Sequence, residues 1–155
     1  MRGIIWQTKR FEYEDESKSE KPQGIEKLSE LSKGRKIFTD VVCIWLCIEK
    51  GDKDDYLNSL FLRFYDLNQE FYKSKKVLIL PFAHMSNNLE EPAIAKEILD
   101  KAIKIFNQKG MPAERASFGT HKSVLWEIGG SIAEASYFEF PHQIRKPPVA
   151  GKSDF

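Results

Sequence analysis

Residues 41–48 read VVCIWLCI, an unbroken apolar run set in FTDVVCIWLCIEKGD (38–52) and closed by Gly51-Asp52. A short run rich in branched and aromatic side chains is a strand. Because no position is polar, both of its faces are expected to be buried, which places it at the centre of a sheet covered on both sides. KVLILPF (76–82) repeats the pattern and predicts a second buried strand. Between them, Leu57, Leu60, Phe61, Phe64, Leu67 and Phe71 recur at helical spacing within residues 54–73. They form one apolar stripe. Strand, helix and strand in this order predict a right-handed βαβ crossover, so the class is α/β.

The rest of the chain arranges itself around that unit. EPAIAKEILDKAIKIFNQKG (91–110) predicts a second amphipathic helix, with Pro92 in its first turn and Gly110 and Pro112 ending it. GIIW (3–6) predicts a first strand, which FEYE (11–14) extends or pairs with. DESKSEKPQG (15–24) reads as a solvated loop, and IEKLSELSKG (25–34) as a short helix or loop closed by Gly34. ERASF (114–118) and KSVLWEI (122–128) predict two strands of a hairpin joined by Gly119-Thr120-His121, and SIAEASYFEF (131–140) a last strand near its end. The sum is a mixed sheet with packed helices, a single domain over residues 1–140, and a Pro-rich tail over 141–155 that reads as a linker.

Composition narrows the function classes. The 155 residues carry a net charge of +1, so no long-range field draws the chain to nucleic acid. Cys43 and Cys47 are too far apart along one strand to bond and too few to hold a metal, so they read as small core residues of a cytoplasmic protein. Neither a signal peptide nor a membrane span is expected. The sequence has no P-loop, no GxGxxG, HExxH or CxxC motif, and no nucleophile elbow.

Three places carry candidate chemistry. LPFAHMSNN (80–88) delivers His84 to a strand end ahead of a helix, where α/β proteins bind ligands; alternatively, His84 hydrogen-bonds loop backbone. Phe118-Gly119-Thr120-His121-Lys122 offers a lysine beside a glycine turn, or an ordinary hairpin tip. Glu134, among small and apolar neighbours, is a partner for Lys122, an anchor for an ammonium group, or a surface glutamate. The acidic and basic runs at 14–21 and 49–55 read as solvated loops.

Two blocks together carry a resemblance. LPFAHMSNNLEEPAIAKEIL (80–99), and ASFGTHKSVLWEI (116–128) followed by Ile132-Ala133-Glu134, resemble the N-terminal editing domain of archaeal-type threonyl-tRNA synthetases. Met1-Arg2, Glu12-Tyr13-Glu14 and Ile48-Glu49-Lys50 fit the same pattern, and the likeness runs from residue 1 to about 140. It implies a D-aminoacyl-tRNA deacylase-like α/β fold of mixed sheets and packed helices. It also implies an activity, the hydrolysis of serine from mischarged tRNA(Thr), with the tRNA ribose hydroxyl assisting the attacking water. No metal or other cofactor is implied. By resemblance, Lys122, His84 and Glu134 are the catalytic polar residues. Pro81, Phe82 and Ala83 form one pocket wall, with Phe118, Gly119 and His121 on the other. The implied partners are the 3′ end of tRNA(Thr), the catalytic or anticodon-binding part of a synthetase in cis or in trans, and a second copy of the chain as a homodimer. Two stretches depart from the pattern: Thr120-His121, where the family carries an aromatic pair, and Trp6-Gln7-Thr8-Lys9. The competing readings are a D-aminoacyl-tRNA deacylase, an inactive tRNA-binding module and a structural partner domain.

Overall fold

The computed structural model describes residues 1–141. The expected tail lies outside them from residue 142 onward. The strands are β1 (Arg2–Lys18), β2 (Lys36–Cys47), β3 (Val77–Pro81), β4 (Ala113–Arg115), β5 (Thr120–Ile128) and β6 (Ala135–Glu139). The helices are α1 (Asp55–Leu67), continued by one wider turn over Asn68–Tyr72, and α2 (Pro92–Gln108). All six strands join one sheet of order β4-β3-β2-β1-β5, with β6 pairing β1 beside β5. β2, β3 and β4 are parallel and are linked through α1 and α2, while β1 runs antiparallel to β2, β5 and β6. The expected mixed α/β architecture is therefore the one observed, with a single curled sheet in place of separate ones.

The central position expected for residues 41–48 holds, because β2 lies between β1 and β3. Its two faces are covered differently. On one face Val42, Ile44 and Leu46 pack with Leu57, Leu60 and Phe64 of α1 and Ile98, Leu99, Ala102 and Phe106 of α2. On the other face no helix residue joins the cluster. Phe11, Tyr13, Val41, Cys43, Leu78, Leu80 and Ala116 are buried there instead, with Trp6, Phe38, Trp45 and Trp126 half-buried around them.

Two expectations need correction. Residues 114–118 and 122–128 do not form a hairpin. β4 pairs with β3 and β5 with β1, so three strands separate them in the sheet. Glycine at 119 turns the chain, but its turn belongs to a crossover from one sheet edge to the other. The sheet curls so far that the edges meet: Lys122 Nζ on β5 donates to Ser117 O, just after β4, at 2.6 Å. Residues 15–18, read as loop, continue β1, because β5 pairs with them as far as Lys18↔Thr120. At Lys9 the register of β1 with β5 shifts, and Asp40 on the facing strand adopts φ 49°. This kink keeps Trp6 and Thr8, and then Phe11 and Tyr13, on the helix-free side.

Candidate active site

β3 is short and wholly apolar up to Leu80, so its end is fixed by core packing. Phe82 N donates to Leu46 O at 3.0 Å, which seats the exit of Pro81 and Phe82 against β2. The Phe82 ring then stacks on Trp45 at 4.5 Å, and the His84 ring meets its edge at 5.3 Å. Ala83 and His84 are exposed on a single 3-10 turn, Ala83–Met85. This turn is held from behind by Glu49, whose Oε2 accepts from Ser86 Oγ at 2.6 Å. Ser86 Oγ in turn accepts from Asn88 N at 3.0 Å, and Lys50 N donates to Asn88 O.

Glu49 was read as part of a solvated run, yet it is buried. Burial would raise its carboxyl, but hydrogen bonds from Arg2, Ser86 and the Met1 amine hold it at about 2. Asp52 lies in the same cluster and accepts from the Met1 amine.

The second wall is the crossover Ala116–Gly119. Ala116 N donates to Ile79 O, so the crossover leaves from beside the end of β3. A strap formed by residues 25–34 clamps it. Glu30 N donates to Phe118 O at 3.0 Å and Glu30 Oε1 accepts from Phe118 N at 2.8 Å. Ser29 Oγ and Ser19 N both donate to Gly119 O. Arg115 fastens the strap from below with two guanidinium hydrogen bonds to Glu30 and one to Asp100 on α2. Gly119 has φ +68°, and a Cβ there would lie 3.2 Å from Ser29 Cα, so the site favours glycine on two counts.

Lys122 lies where these parts converge. Its Nζ donates to Ser117 O and to Thr120 Oγ1, each at 2.6 Å, and lies 5.8 Å from the Tyr13 ring centre. Asp15 Oδ1 is 3.7 Å away. A third, longer hydrogen bond runs from Nζ to Thr120 O at 3.5 Å. All three ammonium donors thus have partners within the chain, and the long one is the one a ligand can displace. Burial pushes Lys122 below the usual lysine range, opposed by Asp15. Asp15 itself has a fully buried side chain. Burial would raise its carboxyl, but hydrogen bonds from Ser117, Thr120 and Ser32 outweigh that and hold it at about 2.

The structure thus gathers Phe118, Gly119 and Lys122 at one point and Pro81, Phe82, Ala83 and His84 along the adjoining end of β3. Among the described residues, no hydrogen bond or ion pair joins His84, Lys122 and Glu134. Glu134 is exposed in the turn before β6, where its carbonyl accepts from Gln7 N at 2.8 Å. Its neighbour Ala135 pairs with Trp6, whereas Lys122 pairs with Asp15. These β1 positions are about 30 Å apart along the strand, and the carboxylate partner of Lys122 is Asp15, not Glu134. His121 is exposed, on the opposite face of β5 from Lys122. Asp15 was missed because its acidic run looks solvated until the strap covers it.

Neither cysteine is poised as a nucleophile. Both are free and buried, and burial pushes the Cys43 thiol up to about 12 and raises Cys47 as well. Among the described residues no three of His, Cys, Asp and Glu gather as a ligand set, and no helix is long and apolar enough to cross a membrane. What the geometry offers is a half-buried ammonium with one long hydrogen bond to give up, beside a glycine turn and a crossover that leaves from the end of a buried strand.

Residues 1–137 match the family model described as the archaea-specific editing domain of threonyl-tRNA synthetase. Among curated proteins, the chain is 29% identical over 148 residues to a threonine–tRNA ligase of Thermococcus gammatolerans, covering 92% of this chain and 23% of that one. It is 29% identical over 141 residues to that of Thermococcus kodakarensis, covering 88% and 22%. The chain therefore spans under a quarter of the length of these two relatives. Among solved structures, one titled c-Myc DNA Unwinding Element Binding Protein superposes with a TM-score of 0.67 at 10% identity, covering 92% of this chain and 100% of that one. At that identity the likeness concerns the fold alone.

Proposed function

The chain belongs to the family of archaea-specific editing domains of threonyl-tRNA synthetase, and from that premise we propose that it is a proofreading hydrolase that removes L-serine from mischarged tRNA(Thr). The observation that carries this reading is the Lys122 ammonium, held by Ser117 O and Thr120 Oγ1 with its third hydrogen bond a long one, against a crossover that leaves from beside the end of β3, whose exit turn exposes Ala83 and His84. Threonine and serine differ by one methyl, worth about 1–3 kcal/mol in a pocket, so a site built for threonine cannot reject serine well. A second, smaller site must then destroy the wrong ester and spare the right one.

The chemistry is ester hydrolysis. Water adds to the seryl carbonyl carbon, the bond to the ribose 3′ oxygen breaks, and that oxygen leaves with a proton as the hydroxyl while serine departs. Lys122 supplies a charged donor to the carbonyl oxygen as negative charge grows on it. The vicinal ribose hydroxyl orients the water, a part left to the substrate where neither Cys43 nor Cys47 is an activated nucleophile. The exposed imidazole of His84 meets the amino group of the substrate. Pro81, Phe82 and Ala83 face Phe118 and Gly119 across the pocket. His121, on the outer face of its strand, is a contact for the tRNA and not for the amino acid. Glu134 acts with Lys122 only where a second copy of the chain presents it, which ties that role to a homodimer. The half-buried Trp6 and Trp45, with exposed Val124, Ile128 and Tyr137, give such a dimer an apolar surface to cover. The remainder of a synthetase, in cis or in trans, would hold the tRNA body.

The experiment is deacylation of tRNA(Thr) charged with L-serine, D-serine or L-threonine, with the protein alone and with synthetase added. Hydrolysis of L-serine well ahead of the other two is expected. Preference for D-serine would favour the D-aminoacyl-tRNA deacylase reading instead, and tRNA binding without release of any amino acid would refute hydrolysis.

A further inference from the structure

Asp15 is the only carboxylate among the described residues in an ion pair with Lys122, and it is a residue that the functional reading does not use. Its side chain is fully withdrawn from solvent. Ser32 donates to Oδ2 through both its backbone N, at 3.1 Å, and its Oγ, at 2.9 Å. Thr120 Oγ1 donates to Oδ1 at 2.7 Å and accepts from Lys122 Nζ at 2.6 Å. One hydroxyl thus stands between carboxylate and ammonium and fixes the direction of both hydrogen bonds. With Ser117 O occupying a second donor of Lys122, the third is left on the long 3.5 Å contact to Thr120 O, the one a ligand can displace. We propose that Asp15, acting through Thr120, is the positioning residue for Lys122: it holds the ammonium charged and turned so that its loosely held third donor can pass from Thr120 O to the ester carbonyl. This rests on the role given to Lys122 in the proposed hydrolysis.

The surroundings make the carboxylate necessary. Lys122 is half-buried against the Tyr13 ring, which disfavours the charged form. Arg115, across the crossover, also opposes it, while Glu30 on the strap favours it but is engaged with Arg115 and with Phe118 N. Asp15 is the close counter-charge. It gives Thr120 a task, since its hydroxyl donates to the carboxylate and accepts from the ammonium at one short-reaching oxygen.

The test compares the wild-type chain with Asp15→Asn and Thr120→Val. The Lys122 side-chain titration is followed by NMR with labelled lysine, alongside the pH profile of kcat/KM for seryl-tRNA(Thr). Asp15→Asn is expected to lower the Lys122 pKa by about one unit or more, since a lost counter-charge at this range is worth that much. It is also expected to move the alkaline limb of the profile down by the same amount and to reduce kcat/KM at neutral pH about tenfold. A Lys122 titration identical in the two proteins, or an unchanged pH profile, would overturn the proposal. If Asp15→Asn loses its dispersed spectrum, Thr120→Val carries the test, because it keeps the carboxylate on Ser32 and breaks only the relay. It should shift the Lys122 resonances and lower kcat/KM at least threefold, and no change in either overturns the proposal. A shifted Lys122 titration in a protein whose wild type releases no serine would sink the hydrolase reading and leave the placement of the ammonium standing.

Discussion

Gly119→Ala is the most informative single change, because its cost can be worked out from the backbone and its effect reaches the site. Gly119 sits at φ +68°, and a Cβ there would come within 3.2 Å of Ser29 Cα and 3.4 Å of Ile25 Cγ1. The left-handed conformation costs an L-residue about 1–2 kcal/mol. Pushing the strap back by a few tenths of an ångström adds to this, so a total of about 2 kcal/mol is expected. For a domain of this size that corresponds to a fall in Tm of about 4–8 °C. The same displacement strains the hydrogen bonds from Ser19 N and Ser29 Oγ to Gly119 O, and the Glu30–Phe118 pair beside them. The crossover that presents Ser117 O to Lys122 then loosens, and deacylation should slow about tenfold even where the protein is fully folded. Thermal unfolding by circular dichroism and initial deacylation rates measure the two effects. A Tm within a degree of wild type would refute the backbone argument. A lowered Tm with an unchanged rate would refute the link from strap to site.

Further outcomes follow from the same contacts. Lys122→Met should leave the fold intact and lower kcat for seryl-tRNA(Thr) by a factor of about 10²–10³, the usual effect of losing one donor to a developing oxyanion. Turnover that persists would remove Lys122 from the chemistry. Phe106→Ala removes a ring with no exposed surface, packed on Phe61 at 5.0 Å and Phe64 at 5.3 Å, and should cost about 3–5 kcal/mol by urea denaturation. A loss under 1 kcal/mol would mean that the helix face is not packed as described. Asp15 and Glu49 both have folded-state values held at about 2, below their ordinary 3.8 and 4.5. Their contribution is complete above the unfolded values and is lost as pH falls through the folded ones. Stability should therefore drop between about pH 4.5 and pH 2, by about 2 kcal/mol for each group. Acid unfolding that is already complete at pH 5, or flat down to pH 2, would contradict this.

The centre of the fold was legible because burial on both sides leaves a plain mark. VVCIWLCI could only be a central strand, and the stripe from Leu57 to Phe71 only an amphipathic helix. The edges were not legible. ERASF, GTH and KSVLWEI look like a hairpin because a glycine turn between two strand-like runs is the local signature of one. What separates them is that β3 and β1 claim their ladders from opposite sides of the sheet. Local pattern carries no record of a partner that far away in sequence. The same limit hid the site's carboxylate. Asp15 lies in an acidic run that reads as solvent-facing, and its burial exists only once Ser32 and Thr120 have been brought to it by the strap and the curl of the sheet. Position in the sequence marked His84 and Lys122 as candidates but left a structural reading open for each, and the resemblance alone gave them roles.

The most direct measurement is a crystal structure with a non-hydrolysable seryl-adenosine mimic in which an amide replaces the ester. It should place the seryl group between Pro81–His84 and Phe118–Gly119, with its carbonyl oxygen within about 3 Å of Lys122 Nζ and too little space beside its β-carbon for one further methyl. A mimic bound elsewhere on the chain, or seated there with Lys122 still turned wholly to Ser117 and Thr120, would contradict the account.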